Sequence, residues 1–363
     1  MRIAVVAPLV TPIREPQLGG SQALVADLAR GLAERGHQVE VYAAAGSVIP
    51  GVTVVDTGVR ADELSSLLYR ADRPSAPDSY AGDAAFRTVF DAINRGRYDV
   101  VHNHAFDAPA VRFACTLQSP VIHTLHLPPD ASVLGALEQA SRSANPPTVA
   151  TVSATAAAGW RRRTHVDVVL PNGVPVDRIP WSETGGAHLL FAGRFSPEKG
   201  AAHAIAIARQ AEVAIDLYGE PYDPEYARDE VDRHRNEPGI TIHGAVPRTE
   251  IWSLMAGACA VLCPARWEEP FGMAAAEAQA AGTPVIAYDR GALGDVIRHA
   301  KTGFLVPADD VAGAAQRVRQ LGTISRVDCR QHAEANLNLE AAITAHERLY
   351  YQVGSRTGAQ SRG

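Results

Sequence analysis

The sequence of 363 residues contains only four cysteines and no long uninterrupted apolar stretch. The spacing of the cysteines fits neither a disulfide framework nor a paired zinc knuckle, so we expect all four to be small core residues. No stretch approaches the ~18 apolar residues of a membrane-spanning helix. The apolar segment near the N-terminus is too short for a signal peptide. These absences predict a cytoplasmic protein.

Positive charge is not in excess either. The 34 lysine and arginine residues oppose 40 aspartate and glutamate residues, which gives a net charge of −6. The chain therefore lacks the electrostatic character of a general nucleic-acid-binding protein. No G-x-G-x-x-G motif follows the first apolar segment, which argues against a dinucleotide-dependent dehydrogenase.

The apolar residues that are present follow alternating strand and helix periods. The first forty residues predict a strand at RIAVVAP, a helix with Leu24, Leu28 and Leu32 on one face, and a strand at HQVEVYAA. Ser21 is the expected N-cap of that helix and Gly36 its end. Continued alternation along the chain predicts βαβ units, and hence an α/β fold with largely parallel sheets.

The alternating pattern restarts after residues 170–187, a segment rich in proline and glycine. Two domains suit a chain of this length, since ~150 residues per domain is usual. We therefore predict an N-terminal domain at residues 1–170 and a C-terminal domain at residues 171–336. A final helix is expected at residues 337–353.

The segment LLFAGRFSPEKG, residues 189–200, predicts a strand followed by a helix. Ser196 and Pro197 suit the N-cap and the first helical position, and a helix N-terminus beside a parallel strand attracts anions. Arg194 and Lys199 flank this predicted helix start. The pattern indicates a site for a di-anion such as a diphosphate, although a capped surface helix with two solvated charges would leave the same pattern.

A second segment, residues 263–289, predicts a loop and an alanine-rich helix between two strands. Gly272 would let the backbone approach a ligand closely where the helix starts. Glu269 lies in the loop and Glu277 in the helix, at most ~12 Å apart at the usual helical rise. Carboxylates without nearby cations are suitable hydrogen-bond acceptors for sugar or ribose hydroxyls.

In combination, these motifs resemble the retaining family-4 (group 1) glycosyltransferases of the GT-B fold. The resemblance rests on G-R-F-S-P-E-K-G, on E-P-F-G-M with Glu269 and Glu277 eight positions apart, on G-T-P-V-I-A and K-T-G-F-L-V, and on an early Gly-Gly pair. D-V-V-H, T-L-H, V-S and N-G-V are weaker markers in the N-terminal half. The resemblance implies two Rossmann-like domains with mostly parallel sheets facing across a cleft. It also implies a final helix that packs back on the N-terminal domain.

The resemblance assigns roles to individual residues. Arg194 and Lys199 would bind the donor diphosphate and stabilise it as it leaves, and Glu277 would hold the ribose hydroxyls. Glu269 would contact the donor sugar, which His126 would face from the N-terminal domain. The other implied donor-binding positions are Gly19, Gly20, Gly219, Phe271, Gly272 and Met273. Around Gly219 the sequence reads Y-G-E-P where the family has G-x-G-P.

The implied function is the transfer of a sugar from a nucleoside diphosphate sugar to a hydroxyl acceptor with retention at the anomeric carbon. The C-terminal domain would bind the donor and the N-terminal domain the acceptor. No cofactor or metal is expected, because the sequence has no Asp-x-Asp pair and two cations can take a metal's electrostatic role. Two close histidine pairs, at positions 102 and 104 and at positions 123 and 126, leave a zinc site as the less favoured alternative.

Other functions are compatible with the same fold. A nucleotide-sugar epimerase and a non-catalytic nucleotide-sugar-binding protein stay open, whereas a pyridoxal-phosphate lysine site typical of a phosphorylase is not evident. The acceptor stays open among natural products, saccharides and glycolipids, with candidate segments at residues 58–83, 105–109 and 127–135. Trp160 and the three arginines that follow it are typical of a solvated helix end, with a membrane surface or an anionic acceptor as alternatives.

Overall fold

The computed structural model describes residues 1–17, 19–60 and 80–360. Most of the candidate acceptor segment at residues 58–83 lies outside the described residues. The chain divides into two compact units. Unit 1 comprises Met1–Arg14, Ser21–Pro171 and Glu340–Gly363, and unit 2 comprises Glu15–Gly20 and Asn172–Leu339.

The described residues of unit 1 form a seven-stranded parallel sheet with the order β3-β2-β1-β4-β5-β6-β7. The strands are β1 (Arg2–Val6), β2 (Gln38–Ala43), β3 (Thr53–Asp56), β4 (Val100–Asn103), β5 (Val121–Leu125), β6 (Thr148–Thr151) and β7 (Val168–Val169). The helices are α1 (Gly20–Glu34), α2 (Tyr80–Gly96), α3 (Ala108–Ala114), α4 (Ala131–Ser141), α5 (Ala154–Arg161) and, near the end of the chain, α13 (Leu339–Gln360). Strands β4 and β5 are buried along their whole length, as expected where helices cover both faces of a parallel sheet.

The described residues of unit 2 form a six-stranded parallel sheet with the order β10-β9-β8-β11-β12-β13. The strands are β8 (Leu189–Ala192), β9 (Ile215–Tyr218), β10 (Ile240–His243), β11 (Ala260–Cys263), β12 (Val285–Tyr288) and β13 (Gly303–Val306). The helices are α6 (Ala201–Ala211), α7 (Pro224–Tyr226), α8 (Arg248–Gly257), α9 (Met273–Ala280), α10 (Leu293–Val296), α11 (Val311–Val318) and α12 (Arg326–Asn336). From β8 the chain adds strands towards one edge of the sheet, and from β11 it adds them towards the other. Sheets of this kind bind ligands at such a switch point, here between β8 and β11.

The apolar face predicted for α1 is confirmed, because Leu24, Leu28 and Leu32 are all buried. The predicted N-cap is wrong: the helix already begins at Gly20, and the Ser21 hydroxyl donates to the side chain of Gln22. Gly36 follows the helix with a φ of 86°, the left-handed conformation that ends helices.

Helix α13 returns to unit 1 after the chain has formed unit 2. It buries Ile343, His346 and Tyr350 almost completely. The α1 backbone approaches α13 so closely at Gly31 that an added Cβ atom would overlap the Ile343 side chain. Unit 1 therefore takes part of its core from each end of the chain.

The cysteine prediction holds only in part. All four thiols are free, but only Cys329 is fully buried and the others are half-buried. Trp160 is buried and donates from Nε1 to the Leu127 carbonyl oxygen at 2.9 Å, so its ring is not available to a membrane surface. Across the part of the chain that the structure describes, no helix is both long enough and apolar enough to cross a membrane.

Candidate functional site

The predicted cations and carboxylates of unit 2 lie in segments that follow two neighbouring strands. Arg194 and Lys199 follow β8, and Glu269 follows β11, with which β8 is paired. Because the carboxyl ends of parallel strands meet at one edge of a sheet, these segments come together. Glu277 lies on α9, which begins at Met273, directly after the loop that carries Glu269.

The segment after β8 differs from its prediction. Helix α6 begins at Ala201, with Gly200 as its N-cap at a φ of 74°, so Ser196 is not the N-cap and Pro197 is not the first helical residue. Residues 197–200 form a turn in which the Ser196 carbonyl oxygen accepts from the Lys199 amide at 3.1 Å. Only glycine fits at position 200, since an added Cβ atom would overlap the carbonyl oxygen of Pro264. The two cations therefore lie before the helix rather than around its first turn.

Arg194 is held from two sides. Its Nη2 donates to Oε1 of the buried Glu198 at 2.9 Å, and its guanidinium carbon lies 4.2 Å from the ring centroid of Tyr222. A guanidinium stacked on an aromatic ring and paired with a buried carboxylate has little rotational freedom. Arg194 thus presents a cation of fixed position at the sheet edge.

Lys199, Glu269 and Trp267 form a second contact group. The Lys199 ammonium donates to Oε2 of Glu269 at 2.7 Å, and Trp267 Nε1 donates to the same oxygen at 2.8 Å. The ammonium also lies 4.8 Å from the Trp267 ring centroid. The indole therefore orients the carboxylate through its N–H group and stabilises the cation through its π face.

Glu277 is also paired with a cation. Arg248 Nε donates to Oε1 of Glu277 at 2.6 Å, and both side chains are 9% exposed. The interpretation that Glu269 and Glu277 lack nearby cations is therefore wrong. Their partners, Lys199 and Arg248, are distant in sequence and are brought close only by the fold.

Gly272 is the N-cap of α9 with a φ of 97°, and this confirms the predicted glycine at the start of that helix. An added Cβ atom would lie 2.9 Å from Cδ2 of Leu293, so both the conformation and the space favour glycine. Phe271 is buried before it, and Met273 is the first helical residue. The backbone amides of the first helical turn have no partner within the helix, and they can bind an anion or a hydroxyl oxygen.

The remaining predicted glycines show how closely the backbone packs. An added Cβ atom at Gly219, directly after β9, would overlap the carbonyl oxygen of Gly193. At Gly20 an added Cβ atom would lie 2.9 Å from Cγ of Met273, within unit 2. Gly19 directly precedes α1. The structure thus brings Gly20 and Met273 together, as well as Gly219 and the segment that carries Arg194.

His126 belongs to unit 1, where it joins a buried histidine cluster. The cluster consists of His102, His104, His123, His126 and His346. A hydrogen bond of 2.8 Å joins His104 Nδ1 to His126 Nε2, and the rings of His102 and His104 lie 3.9 Å apart. Burial, together with the neighbouring histidines, lowers the pKa of His126 to about 3. The imidazole of His126 is therefore neutral at pH 7.

Within the described residues, no group of three or more histidine, cysteine, aspartate or glutamate side chains is arranged to hold a metal ion. Sequence reasoning did not identify Glu198, Trp267 or Arg248. Glu198 lies inside G-R-F-S-P-E-K-G and Trp267 lies two positions before E-P-F-G-M, so both could have been considered as partners of the cations. Arg248 lies 29 positions from Glu277 on another helix, and no local pattern points to it.

Two family models match the chain in succession. Residues 18–178 match the model described as Glycosyltransferase Family 4, and residues 178–336 match the model described as Glycosyl transferases group 1. Together the two matches account for both halves of the predicted resemblance.

Named relatives match the chain at different lengths. The phosphatidyl-myo-inositol mannosyltransferase of Mycolicibacterium smegmatis is 29% identical over 87% of this chain and 83% of its own length. The D-inositol 3-phosphate glycosyltransferase of Jonesia denitrificans is 29% identical over 92% of each chain. A glycogen synthase of Mycobacterium tuberculosis is 33% identical, but over only 42% of this chain and 39% of its own length.

Solved structures resemble the fold over nearly the whole chain. Sucrose-phosphate synthase from Thermosynechococcus elongatus has a TM-score of 0.79 at 19% identity and covers 98% of this chain and 99% of its own. Anabaena HepE in complex with UDP and glucose has a TM-score of 0.75 at 17% identity, with 96% and 99% covered. These likenesses show the GT-B fold. With family models matching from residue 18 to residue 336, the protein belongs to the group 1, or family-4, glycosyltransferases.

Proposed function

We propose that the protein transfers a sugar from a nucleoside diphosphate sugar to a hydroxyl acceptor, with retention at the anomeric carbon and without a metal ion or other cofactor. Unit 2 binds the donor through Arg194, Lys199, Glu269 and Glu277. Family membership supports sugar transfer, and the side chains at the edge of the second sheet support this kind of donor.

The contact between Lys199 and Glu269 carries the proposal. In a nucleoside diphosphate sugar the distal phosphate is bonded directly to the anomeric carbon of the sugar. A cation that binds this phosphate and a carboxylate that binds the sugar hydroxyls must therefore lie close together. Lys199 Nζ and Glu269 Oε2 are 2.7 Å apart, so the two groups can reach adjacent parts of one donor.

Charge stabilisation by the two cations accounts for the absence of a metal from the proposed reaction. The bond between the anomeric carbon and the diphosphate oxygen breaks, and negative charge develops on the departing diphosphate. Arg194 and Lys199 stabilise this charge at fixed positions, which is the largest kind of contribution to many enzymatic rates. The acceptor oxygen bonds to the anomeric carbon on the same face, and its proton passes to the departing diphosphate oxygen.

His126 has a narrower role in this proposal. Because its pKa lies far below 7, it offers a neutral imidazole. Such a group can exchange a hydrogen bond with a sugar hydroxyl, but it cannot supply a positive charge to the diphosphate. The stabilising charge therefore has to come from Arg194 and Lys199.

The proposal is tested by incubating the protein with UDP-, GDP- and ADP-sugars in the presence of EDTA and following release of the nucleoside diphosphate. D-inositol 3-phosphate and phosphatidylinositol belong in the acceptor panel, because two relatives are named for acceptors of this kind. The anomeric configuration of the product, read by NMR, tests retention. Conversion of the donor without an acceptor would instead indicate an epimerase, and binding without turnover a non-catalytic protein.

The chain offers a matched control for the cation assignment, since Lys199 and Lys301 are its only lysines. Lys301 is exposed and lies outside the proposed site. Replacing Lys199 by alanine should lower turnover about 10²- to 10³-fold, the usual effect of removing one charge-stabilising donor. Lys301→Ala should leave turnover unchanged. Full turnover in an Arg194→Ala, Lys199→Ala double variant would refute the diphosphate assignment.

A further inference from the structure

Glu277 is oriented by a residue from a different helix. Arg248 is the first residue of α8 and Glu277 lies in the second turn of α9. Their hydrogen bond, at 2.6 Å from Nε to Oε1, is short, and little of either side chain reaches solvent. A charge-assisted bond in such a place is strong and directional.

Both the backbone amide and the guanidinium group of Arg248 have partners of their own. Its backbone amide donates to Oε2 of Glu15 at 3.0 Å, which satisfies one of the unpaired amides at the start of α8. Its guanidinium carbon lies 5.0 Å from the ring centroid of Trp252, one helical turn later. The indole is buried. Arg248 is thus a rigid support rather than a mobile surface cation.

This support leaves one side of the Glu277 carboxylate available. Oε1 is bonded to Arg248, and no side chain or amide in the described residues donates to Oε2. A carboxylate oxygen has two acceptor positions, so the group can still accept from two neighbouring hydroxyls. With Oε1 fixed, the direction in which it accepts is also fixed.

We propose that Arg248 is a positioning residue for nucleotide recognition: it holds Glu277 in the orientation that accepts hydrogen bonds from the vicinal hydroxyls of the donor ribose. The inference rests on the proposed function, in which Glu277 binds that ribose. Without Arg248 the carboxylate would lose both its counter-ion and its fixed direction, and its preference for a diol would disappear.

The test compares a nucleotide that carries the two hydroxyls with one that lacks them. Binding of UDP, GDP and ADP, and of the 2′,3′-dideoxy counterpart of whichever binds tightest, is measured by calorimetry up to millimolar concentrations. Wild type should bind the dideoxy nucleotide about 10- to 100-fold more weakly, the usual loss for hydrogen bonds to a charged group. In Arg248→Met the ratio of the two dissociation constants, dideoxy nucleotide over ribonucleotide, should fall below about threefold. In Arg248→Lys the ratio should lie between the values of wild type and Arg248→Met.

The ratio, unlike overall affinity or stability, would not change if Arg248 only stabilised the fold. Arg228→Met, at an exposed ion pair with Asp229, is the control and should keep the wild-type ratio. If Arg248→Met does not fold, the Arg248→Lys ratio decides.

Two failures are distinguishable. A wild-type ratio near one, or no binding of any nucleotide, would overturn the ribose role of Glu277 and this inference with it. A large wild-type ratio that Arg248→Met retains would overturn only the role of Arg248. An equal loss of both nucleotides in a folded variant would also overturn it, since Arg248 would then act elsewhere on the ligand.

Discussion

Lys199 Nζ donates to Glu269 Oε2 at 2.7 Å, although the two residues are 70 positions apart. The proposed phosphate-binding cation is thus paired with the proposed sugar-binding carboxylate. A diphosphate that binds Lys199 competes with Glu269 for the ammonium, and we expect the two anions to exchange as its partner. This exchange would release Glu269 towards the sugar at the moment the donor binds.

Removing the charge of Glu269 should therefore strengthen diphosphate binding while it weakens sugar transfer. In Glu269→Gln, the affinity for the nucleoside diphosphate should rise about three- to tenfold, since a partly exposed ion pair contributes up to ~1 kcal/mol. Turnover of the complete donor should fall. Calorimetry measures the first effect and a release assay the second. Glu268→Gln is the control, because Glu268 lies in the same loop but accepts from the Gly291 amide. It should change neither diphosphate affinity nor turnover. Weaker diphosphate binding in Glu269→Gln would contradict the exchange.

Gly219→Ala should destabilise unit 2, because the new methyl group would overlap the Gly193 carbonyl oxygen. Overpacking of this kind usually costs about 1–3 kcal/mol. Nucleotide affinity should fall as well, since Gly193 directly precedes Arg194. Gly244→Ala is the matched control, because an added Cβ atom meets nothing within 4 Å there. Chemical denaturation of both variants checks the prediction, and equal stability would refute the close approach.

The histidine cluster should make the protein sensitive to mild acid. Burial lowers the pKa of His123 and of His346 to about 4, from a usual 6.5. Between these values the unfolded chain binds protons that the folded chain does not. Stability is thus complete above pH 6.5 and is lost as the pH falls towards 4, at about 1.4 kcal/mol per pH unit for each such group.

A single substitution tests this pH dependence. His123→Phe removes one titrating group at similar volume, so the slope of the unfolding free energy between pH 6 and pH 4.5 should decrease by about 1.4 kcal/mol per pH unit. Urea titrations at several pH values measure it. His165→Gln, at an exposed histidine, is the control. An unchanged slope in His123→Phe would mean that this histidine is charged in the folded protein.

Tyr350→Phe should weaken the attachment of α13 to unit 1. The Tyr350 hydroxyl forms a 2.6 Å hydrogen bond with His102 Nδ1, and both residues are fully buried. Loss of the hydroxyl leaves the imidazole nitrogen without a partner, at a cost of about 1–3 kcal/mol. The adjacent Tyr351 is exposed, and Tyr351→Phe should have no effect on thermal or urea unfolding. Equal stability of the two variants would contradict this account.

The strand and helix pattern of the sequence predicted the parallel sheets well. Parallel strands that are covered on both faces consist of continuous apolar runs, such as VIAY in β12. Such a run can be recognised from neighbouring residues in the sequence alone. The start of α9 at Gly272 was also predictable, because a left-handed N-cap favours glycine. The start of α6 was not. Gly200 there packs against the carbonyl of Pro264, which is distant in sequence, and this contact outweighs the capping preference of Ser196.

The site was predictable as a set of residues but not as a set of pairs. Arg194, Lys199, Glu269 and Glu277 all belong to two local motifs. Their counter-ions depend on which segments the sheet places side by side, and a sequence pattern does not contain this information. For that reason the motifs alone show Glu277 without a cation, whereas in the structure Arg248 approaches it from the preceding helix.

The return of α13 to unit 1 has a consequence for synthesis of the protein. The ribosome completes residues 172–338 before it adds α13, which carries Ile343, His346 and Tyr350. Until then, the part of unit 1 that these side chains cover stays open to solvent, with apolar residues and imidazole rings exposed. Nascent chains, and chains that end before α13, therefore expose a hydrophobic surface that chaperones and proteases can recognise.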